Sequence, residues 1–75
     1  MNRSPFAAFV NMAGFPISLH HGAVISAEHN DETGGTHITI RLGDGGATCD
    51  VRTPYEEVMK ELERARRAEI VSFGE

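Results

Sequence analysis

The chain has 75 residues, which predicts one domain, 1–75, and a domain this small buries only about 60% of the surface that its unfolded chain exposes. Such domains are usually reinforced by disulfides, a metal or self-association, and the single cysteine, Cys49, excludes an internal disulfide. The formal net charge of −4 argues against nucleic acid as a partner, because phosphate binding needs a basic face.

The sequence gives no sign of a membrane segment. No stretch has the roughly 20 consecutive apolar residues that a spanning helix requires. The apolar residues after Arg3 are interrupted by Asn11, Gly14 and Pro16, so we expect no cleaved signal peptide. We therefore expect a cytoplasmic protein without a cofactor, in which Cys49 is a reduced thiol.

Two strands are predicted in the N-terminal part. Residues 6–12 are mostly apolar, and residues 15–20 carry an apolar side chain at every other position, as a half-buried strand does. Ala13-Gly14 separates these segments as a turn. Pro16 lacks an amide donor, so we expect it at a strand start or on an edge.

Three further strands are predicted to form an antiparallel meander. Residues 36–42 alternate strictly between polar and apolar side chains, residues 47–52 repeat that pattern, and a glycine-rich turn at 43–46 joins them. Residues 24–29 form the preceding strand. We place all apolar side chains on one face by pairing Ile25 with Ile40, Ala27 with Ile38, Ile38 with Val51, Ile40 with Cys49, and Leu42 with Ala47.

The C-terminal third has the periodicity of a helix, predicted from about residue 54 to residue 68. Thr53 is expected as the N-cap, Pro54 at the first helical position, and Glu56 as the partner in a capping box. Residues 69–75 are predicted as a short apolar tail. The predicted fold is therefore α+β: a small antiparallel meander of four or five strands, within 6–52, covered by one C-terminal helix.

Several apolar residues at both ends of the chain have no place in the predicted core. One sheet face covered by one helix accounts for Ile17, Leu19, Ile25, Ala27, Ile38, Ile40, Leu42, Cys49, Val51, Val58, Met59 and Leu62. A contiguous surplus of apolar residues usually marks an association surface. We therefore predict a homo-oligomer that assembles through the first strand or the tail, although these ends could instead fold back over the sheet. The interface residues are Phe6, Phe9, Val10, Met12, Ile70, Val71 and Phe73.

The order of several residues resembles the small flagellar FlbD family, and more broadly a set of short phage and bacterial proteins with the same plan. The resemblance covers residues 10–62 and is carried by Gly14-x-Pro16-Ile17-x-Leu19, Ile25-x-x-Glu28, Thr36-x-Ile38-Thr39-Ile40-x-Leu42-x-x-Gly45 and Val51-x-x-Pro54-x-Glu56-Glu57-Val58. It implies a non-enzymatic accessory or regulatory role. Some phage proteins that sequester nucleotide signals are similar in organisation, which implies an oligomer with pockets between subunits.

The polar face of the predicted sheet is a candidate ligand platform. The expected register places Glu28, His37 and Arg52 in one cross-strand row, with Ser26, Thr39 and Asp50 in the next. Arg41 and Arg52 could grip a phosphate or carboxylate, with His37 and Thr39 as further donors, and the helix-end arginines Arg64 and Arg67 could meet the same anion. The alternative is a solvated, self-complementary face.

Neither metal nor catalytic chemistry is expected. Adjacent strand residues point to opposite faces, so His20 and His21 are not expected to share one metal. His37 lies near carboxylates but has no nucleophile beside it, and Cys49 is predicted to point inward, where it is inert.

Two hypotheses for the function remain. The first is a non-catalytic binding or regulatory module that acts through contacts with itself or another protein. The second is a sponge that sequesters a small anionic nucleotide in pockets between subunits.

Overall fold

The computed structural model describes residues 4–74, with the side chains of residues 4–69. It confirms the predicted α+β class: five antiparallel strands in two sheets, followed by one C-terminal helix. The strands are β1 (Phe6–Val10), β2 (Pro16–His20), β3 (Val24–His29), β4 (Thr36–Leu42) and β5 (Gly45–Val51), and the helix is α1 (Tyr55–Gly74).

Strands β1 and β2 form a hairpin of their own, with Ala7 opposite Leu19 and Phe9 opposite Ile17. Asn11 shapes the turn between them, because its side-chain oxygen accepts hydrogen bonds from the amides of Ala13 and Phe15. Pro16 begins β2, as its missing amide donor predicted. The hairpin is joined to the second sheet by a bridge between Asn11 and Val51 and by a hydrogen bond from Arg52 N to Val10 O.

Strands β3, β4 and β5 form the predicted meander, in that order. A bulge between Val24 and Ser26 shifts the pairing register of the first residues of β3. As a result, Val24 rather than Ile25 lies opposite Ile40. The prediction that Ile25 is a core residue is therefore wrong: its side chain is 55% exposed, whereas Val24 packs against the core. The pairing of Ala27 with Ile38 is confirmed.

The pairing of β4 with β5 differs from the prediction by two residues. The turn contains only Gly43 and Asp44, so Leu42 lies opposite Gly45 and Ile38 lies opposite Cys49. A two-residue shift keeps every side chain on its predicted face, because the side-chain period of a strand is two. Leu42 was wrongly assigned to the core, since it lies at the tip of this hairpin and is 59% exposed.

The helix differs from the prediction at both ends. Its first backbone hydrogen bond runs from Val58 N to Pro54 O, while the Thr53 hydroxyl accepts from Val10 N instead of capping the helix. The helix continues through residues 69–74, which were predicted as a tail, because neither glycine nor proline interrupts it before Gly74. Met59 was also wrongly placed in the core, since the inward stripe is formed by Val58, Leu62 and Ala65.

One core lies between the two sheets and the helix. Its fully buried members come from every layer: Ala7, Phe9, Ile38, Val51, Val58 and Ala65. Phe9 was expected to be surplus to this core, but it faces inward from β1 and is only 2% exposed. Within the described part of the chain, no helix combines the length and apolar character needed to cross a membrane.

Candidate functional site

The outward face of the first hairpin is apolar. Alternate residues of β1 are exposed while those between them are buried, and Pro16 lies opposite Val10 on the same outward face. Phe6 is 48% exposed and Phe15, at the turn, is 66% exposed. We call this surface the hairpin patch; its exposed members are Phe6, Ala8, Val10, Met12, Phe15 and Pro16.

The hairpin patch is held in place by polar side chains that follow the outer edge of β1. Ala8 N donates to Glu61 Oε2 at 2.8 Å, and Val10 N donates to the Thr53 hydroxyl at 2.9 Å. Arg64 donates to the Phe6 carbonyl at 2.9 Å and to the Ser4 carbonyl at 3.2 Å. An edge strand whose backbone is already paired cannot add a further strand there, so β1 offers its face to a partner rather than its edge.

Glu61 and Arg64 form the centre of this attachment. Arg64 Nε lies 2.7 Å from Glu61 Oε1, one turn away on the same helix. The hydrogen bond from Arg64 lowers the pKa of Glu61 below its usual value of 4.5, and the amide of Ala8 lowers it further, although burial opposes both. The same pairing raises the pKa of the Arg64 guanidinium. Glu61 is therefore charged when it holds the helix against β1.

Replacing Glu61 by glutamine is expected to reduce the free energy of unfolding by about 1–2 kcal/mol at pH 7, because a hydrogen-bonded charge pair is lost. Because the folded-state pKa is lowered, the carboxylate stabilises the fold above pH 4.5, and this contribution disappears as pH falls through the folded value. The wild-type protein should therefore lose more stability on acidification than the variant. Urea unfolding at neutral and acidic pH measures both effects.

Glu63 provides the matched control. It also pairs with arginines on the helix, but these partners, Arg66 and Arg67, are 61% and 75% exposed, and among the described residues no hydrogen bond joins Glu63 to a strand. Glu63→Gln should change stability by less than about 0.5 kcal/mol, as solvated pairs usually do. Equal losses in the two variants would show that Glu61 does not anchor β1.

A shallow groove of about 430 Å³ runs beside the hairpin patch, between Ala8 and the first turns of the helix. Its charged side chains are of both signs: Glu57, Lys60, Glu61 and Arg64. An apolar surface bordered by charged residues is the usual arrangement of a protein–protein contact.

The structure does not bring the predicted anion-binding arginines together within one chain. Arg41 lies opposite Gly46, near the β4–β5 turn, whereas Arg52 follows the other end of β5. Strands rise about 3.3 Å per residue, so the backbones of Arg41 and Arg52 are separated by roughly 20 Å along the sheet. The expected row that combined Glu28, His37 and Arg52 is replaced by one with Asp50 in the place of Arg52.

The remaining predicted ligand residues are engaged within the chain or lie apart. His37 Nδ1 is 2.6 Å from Asp50 Oδ1, and Arg67 pairs with Glu63. Arg64 is committed to Glu61 and β1, and Thr39 lies mid-strand between Ser26 and Thr48. A nucleotide pocket between subunits stays a prediction.

The predicted interface residues are divided by the structure. Phe6, Val10 and Met12 are exposed in the hairpin patch, whereas Phe9 is part of the core. The side chains of Ile70, Val71 and Phe73 lie outside the described residues. Sequence reasoning did not include Ala8, Phe15 and Pro16 in the patch. The predicted turn at residues 13–14 could have indicated them, because it brings the residues that follow it beside Val10.

The prediction that His20 and His21 face opposite ways is wrong. Strand β2 ends at His20, and His21 begins a short 3₁₀ turn, His21–Ala23. The alternation of a regular strand therefore does not extend across this pair, and the two imidazole rings stack with centroids 4.7 Å apart.

Comparison of the chain with protein-family models, with curated proteins and with solved structures finds no match. The resemblance to the FlbD family thus stays a prediction.

Proposed function

We propose that this protein is a non-catalytic binding module that self-associates through the hairpin patch. The single observation that carries this proposal is the exposed apolar face of the first hairpin, whose backbone is already fixed by Glu61, Arg64 and Thr53. A rigid apolar surface with a charged border loses little conformational entropy when it binds.

A second copy of the chain is the partner that fits best. A two-stranded hairpin is marginally stable by itself, and packing against either of its faces stabilises it further. The core covers only the inward face, so contact with the same face of another copy would cover the outward one. The groove border carries both Glu57 and Lys60, so a two-fold arrangement can set acidic residues of one copy against basic residues of the other.

Replacing Val10 by lysine tests the proposal. Val10 is 40% exposed at the centre of the patch, and a charge there must be desolvated on association. We expect the wild-type protein to form a concentration-dependent dimer or higher oligomer, and Val10→Lys to weaken this assembly about tenfold or more. Light scattering during size-exclusion chromatography, over a range of concentrations, measures the change.

Leu42→Lys is the control, because Leu42 is an even more exposed apolar residue, at the distant tip of β4–β5. Its assembly should match that of the wild type, and circular dichroism verifies that both variants fold. A wild-type protein that stays monomeric at high concentration would refute self-association. Native mass spectrometry of protein purified from cells then shows whether another protein or a small anion takes this place.

A further inference from the structure

Three potential metal ligands converge where the end of β2 meets the helix. His21 Nε2 and Glu69 Oε2 are in contact, and His20 Nε2 lies 3.7 Å from the same carboxylate oxygen. One nitrogen from each histidine and one oxygen of Glu69 all lie within 4.8 Å of one another. This is the one group of three or more such ligands within the described residues.

The fold explains why these residues meet. The change from strand to 3₁₀ turn between His20 and His21 brings both rings to the same side, where they stack. Glu69 is part of the helix because the helix continues past residue 68, as far as Gly74. The side chains of His20, His21 and Glu69 are 38%, 19% and 30% exposed, so an ion can reach them from solvent.

We propose that His20, His21 and Glu69 form a binding site for a divalent transition metal of the zinc class. Two imidazoles and one carboxylate are a donor set that zinc accepts in proteins, with a fourth position left to solvent. Nitrogen donors favour zinc, nickel, cobalt and copper over magnesium and calcium, which prefer oxygen. One metal ion binds to one chain.

The three side chains must rearrange slightly to hold the ion. Ligand atoms about 2.0–2.2 Å from a tetrahedral zinc ion are roughly 3.4 Å from one another. His20 Nε2 and Glu69 Oε2, 3.7 Å apart, are already near this spacing, whereas His21 Nε2 and the same oxygen are in contact and must separate. All three ligand atoms lie within 4.8 Å of one another, so each moves by about 1 Å. Rotation of partly exposed side chains supplies this without moving the backbone of β2 or the helix.

His20 gives the site a specific signature. Its Nδ1 accepts a hydrogen bond from Gly22 N at 2.9 Å, so a neutral ring carries its proton on Nε2, facing Glu69. A metal needs the lone pair of Nε2, so the neutral ring must change tautomer: Nε2 gives its proton to solvent and Nδ1 takes one up. Because Nδ1 then carries a proton, it can no longer accept the hydrogen bond from Gly22. Metal binding should therefore change the environment of the Gly22 amide as well as that of the ligands.

The bound ion would join the C-terminal half of the helix to the corner between the two sheets. This chain has no disulfide, and a metal is one of the ways in which small domains are reinforced. A ligand that binds only the folded state raises its stability in proportion to the logarithm of the ligand concentration. The site is thus a means of fastening the helix to the sheet, and it borders the hairpin patch, because the rings of Phe6 and His20 meet edge-on with centroids 5.3 Å apart.

Titration of the untagged protein with Zn²⁺ tests the proposal. We expect one bound zinc per chain by native mass spectrometry, a rise in Tm of about 10 °C at saturating metal, and no rise with Mg²⁺. Co²⁺ should give the visible absorption of a four-coordinate complex, and the Gly22 amide signal should shift in an NMR spectrum. An absence of bound zinc, or an equal effect of Mg²⁺, would overturn the assignment.

Matched variants locate the ion. His21→Ala and Glu69→Gln should weaken zinc binding at least about 100-fold, since loss of even an outer-shell partner weakens metal sites about 10- to 100-fold. Glu69→Gln preserves the side-chain volume, so it still tests zinc binding if His21→Ala does not fold. His37→Ala removes a histidine from another histidine–carboxylate pair, with Asp50, and should bind zinc as the wild type does. Loss of binding in His37→Ala, or wild-type affinity in Glu69→Gln, would place the metal elsewhere.

Discussion

Replacing Ile38 by alanine is expected to reduce the free energy of unfolding by about 2–5 kcal/mol. Ile38 is fully buried at the centre of the meander, with Ala27 on one neighbouring strand and Cys49 on the other. Truncation removes apolar contacts with both sheets and leaves a cavity that the paired backbones on either side cannot close. A domain of this size has little stability to lose, so the variant should be close to unfolding at room temperature.

Ile25→Ala is the matched control for this prediction. The two isoleucines occupy similar positions in the sequence pattern, but the bulge in β3 leaves Ile25 55% exposed. Its truncation should change stability by less than about 0.5 kcal/mol. Urea unfolding of both variants at one protein concentration measures the difference, because self-association would make stability depend on concentration. Similar losses at Ile25 and Ile38 would mean that β3 has no bulge and that Ile25 faces the core.

Local patterns in the sequence were sufficient to predict most of the elements. The alternation in residues 36–42 predicted the limits of β4 correctly, because every polar side chain there belongs to one face of a sheet and every apolar side chain to the other. The limits of β3, residues 24–29, were also predicted correctly, but the register of its first residues was not predictable in this way. Val24 and Ile25 are both β-branched and apolar, so their pattern fits either register, and only packing against the core selects Val24.

The features that position the candidate sites depend on contacts between distant parts of the chain. The sequence suggested no role for Glu61 and predicted Arg64 as a ligand for an anion, yet both bind backbone atoms of β1 more than 50 residues away. The approach of Glu69 to the histidines requires both the end of β2 at His20 and the unpredicted length of the helix. Periodicity carries no information on such contacts, because it reports which face of an element is apolar and not what lies opposite.

Gly35→Ala is expected to lower the free energy of unfolding by about 3 kcal/mol or more, although the sequence presents Gly35 only as a loop residue. A Cβ at this buried position would lie 2.0 Å from the Val51 carbonyl oxygen and 3.2 Å from the Cα of Arg52. These are backbone atoms, and they cannot move aside as the end of a side chain can. Arg52 N also donates to Val10 O at 2.7 Å, so a displacement of β5 would separate the first hairpin from the second sheet.

Gly46→Ala, near the turn end of the β4–β5 pair, isolates this steric effect from the general effect of replacing a glycine. A Cβ there would lie 3.4 Å from the Ile40 carbonyl oxygen, which is ordinary contact, and Gly46 does not have a positive φ. Alanine at this position should be neutral or stabilise the fold by up to about 1 kcal/mol, because it restricts the unfolded chain. Thermal and urea unfolding compare the two variants. If Gly35→Ala unfolds at the wild-type midpoint, the close approach of residue 35 to β5 is absent in solution, and with it the arrangement that holds β1 beside the meander.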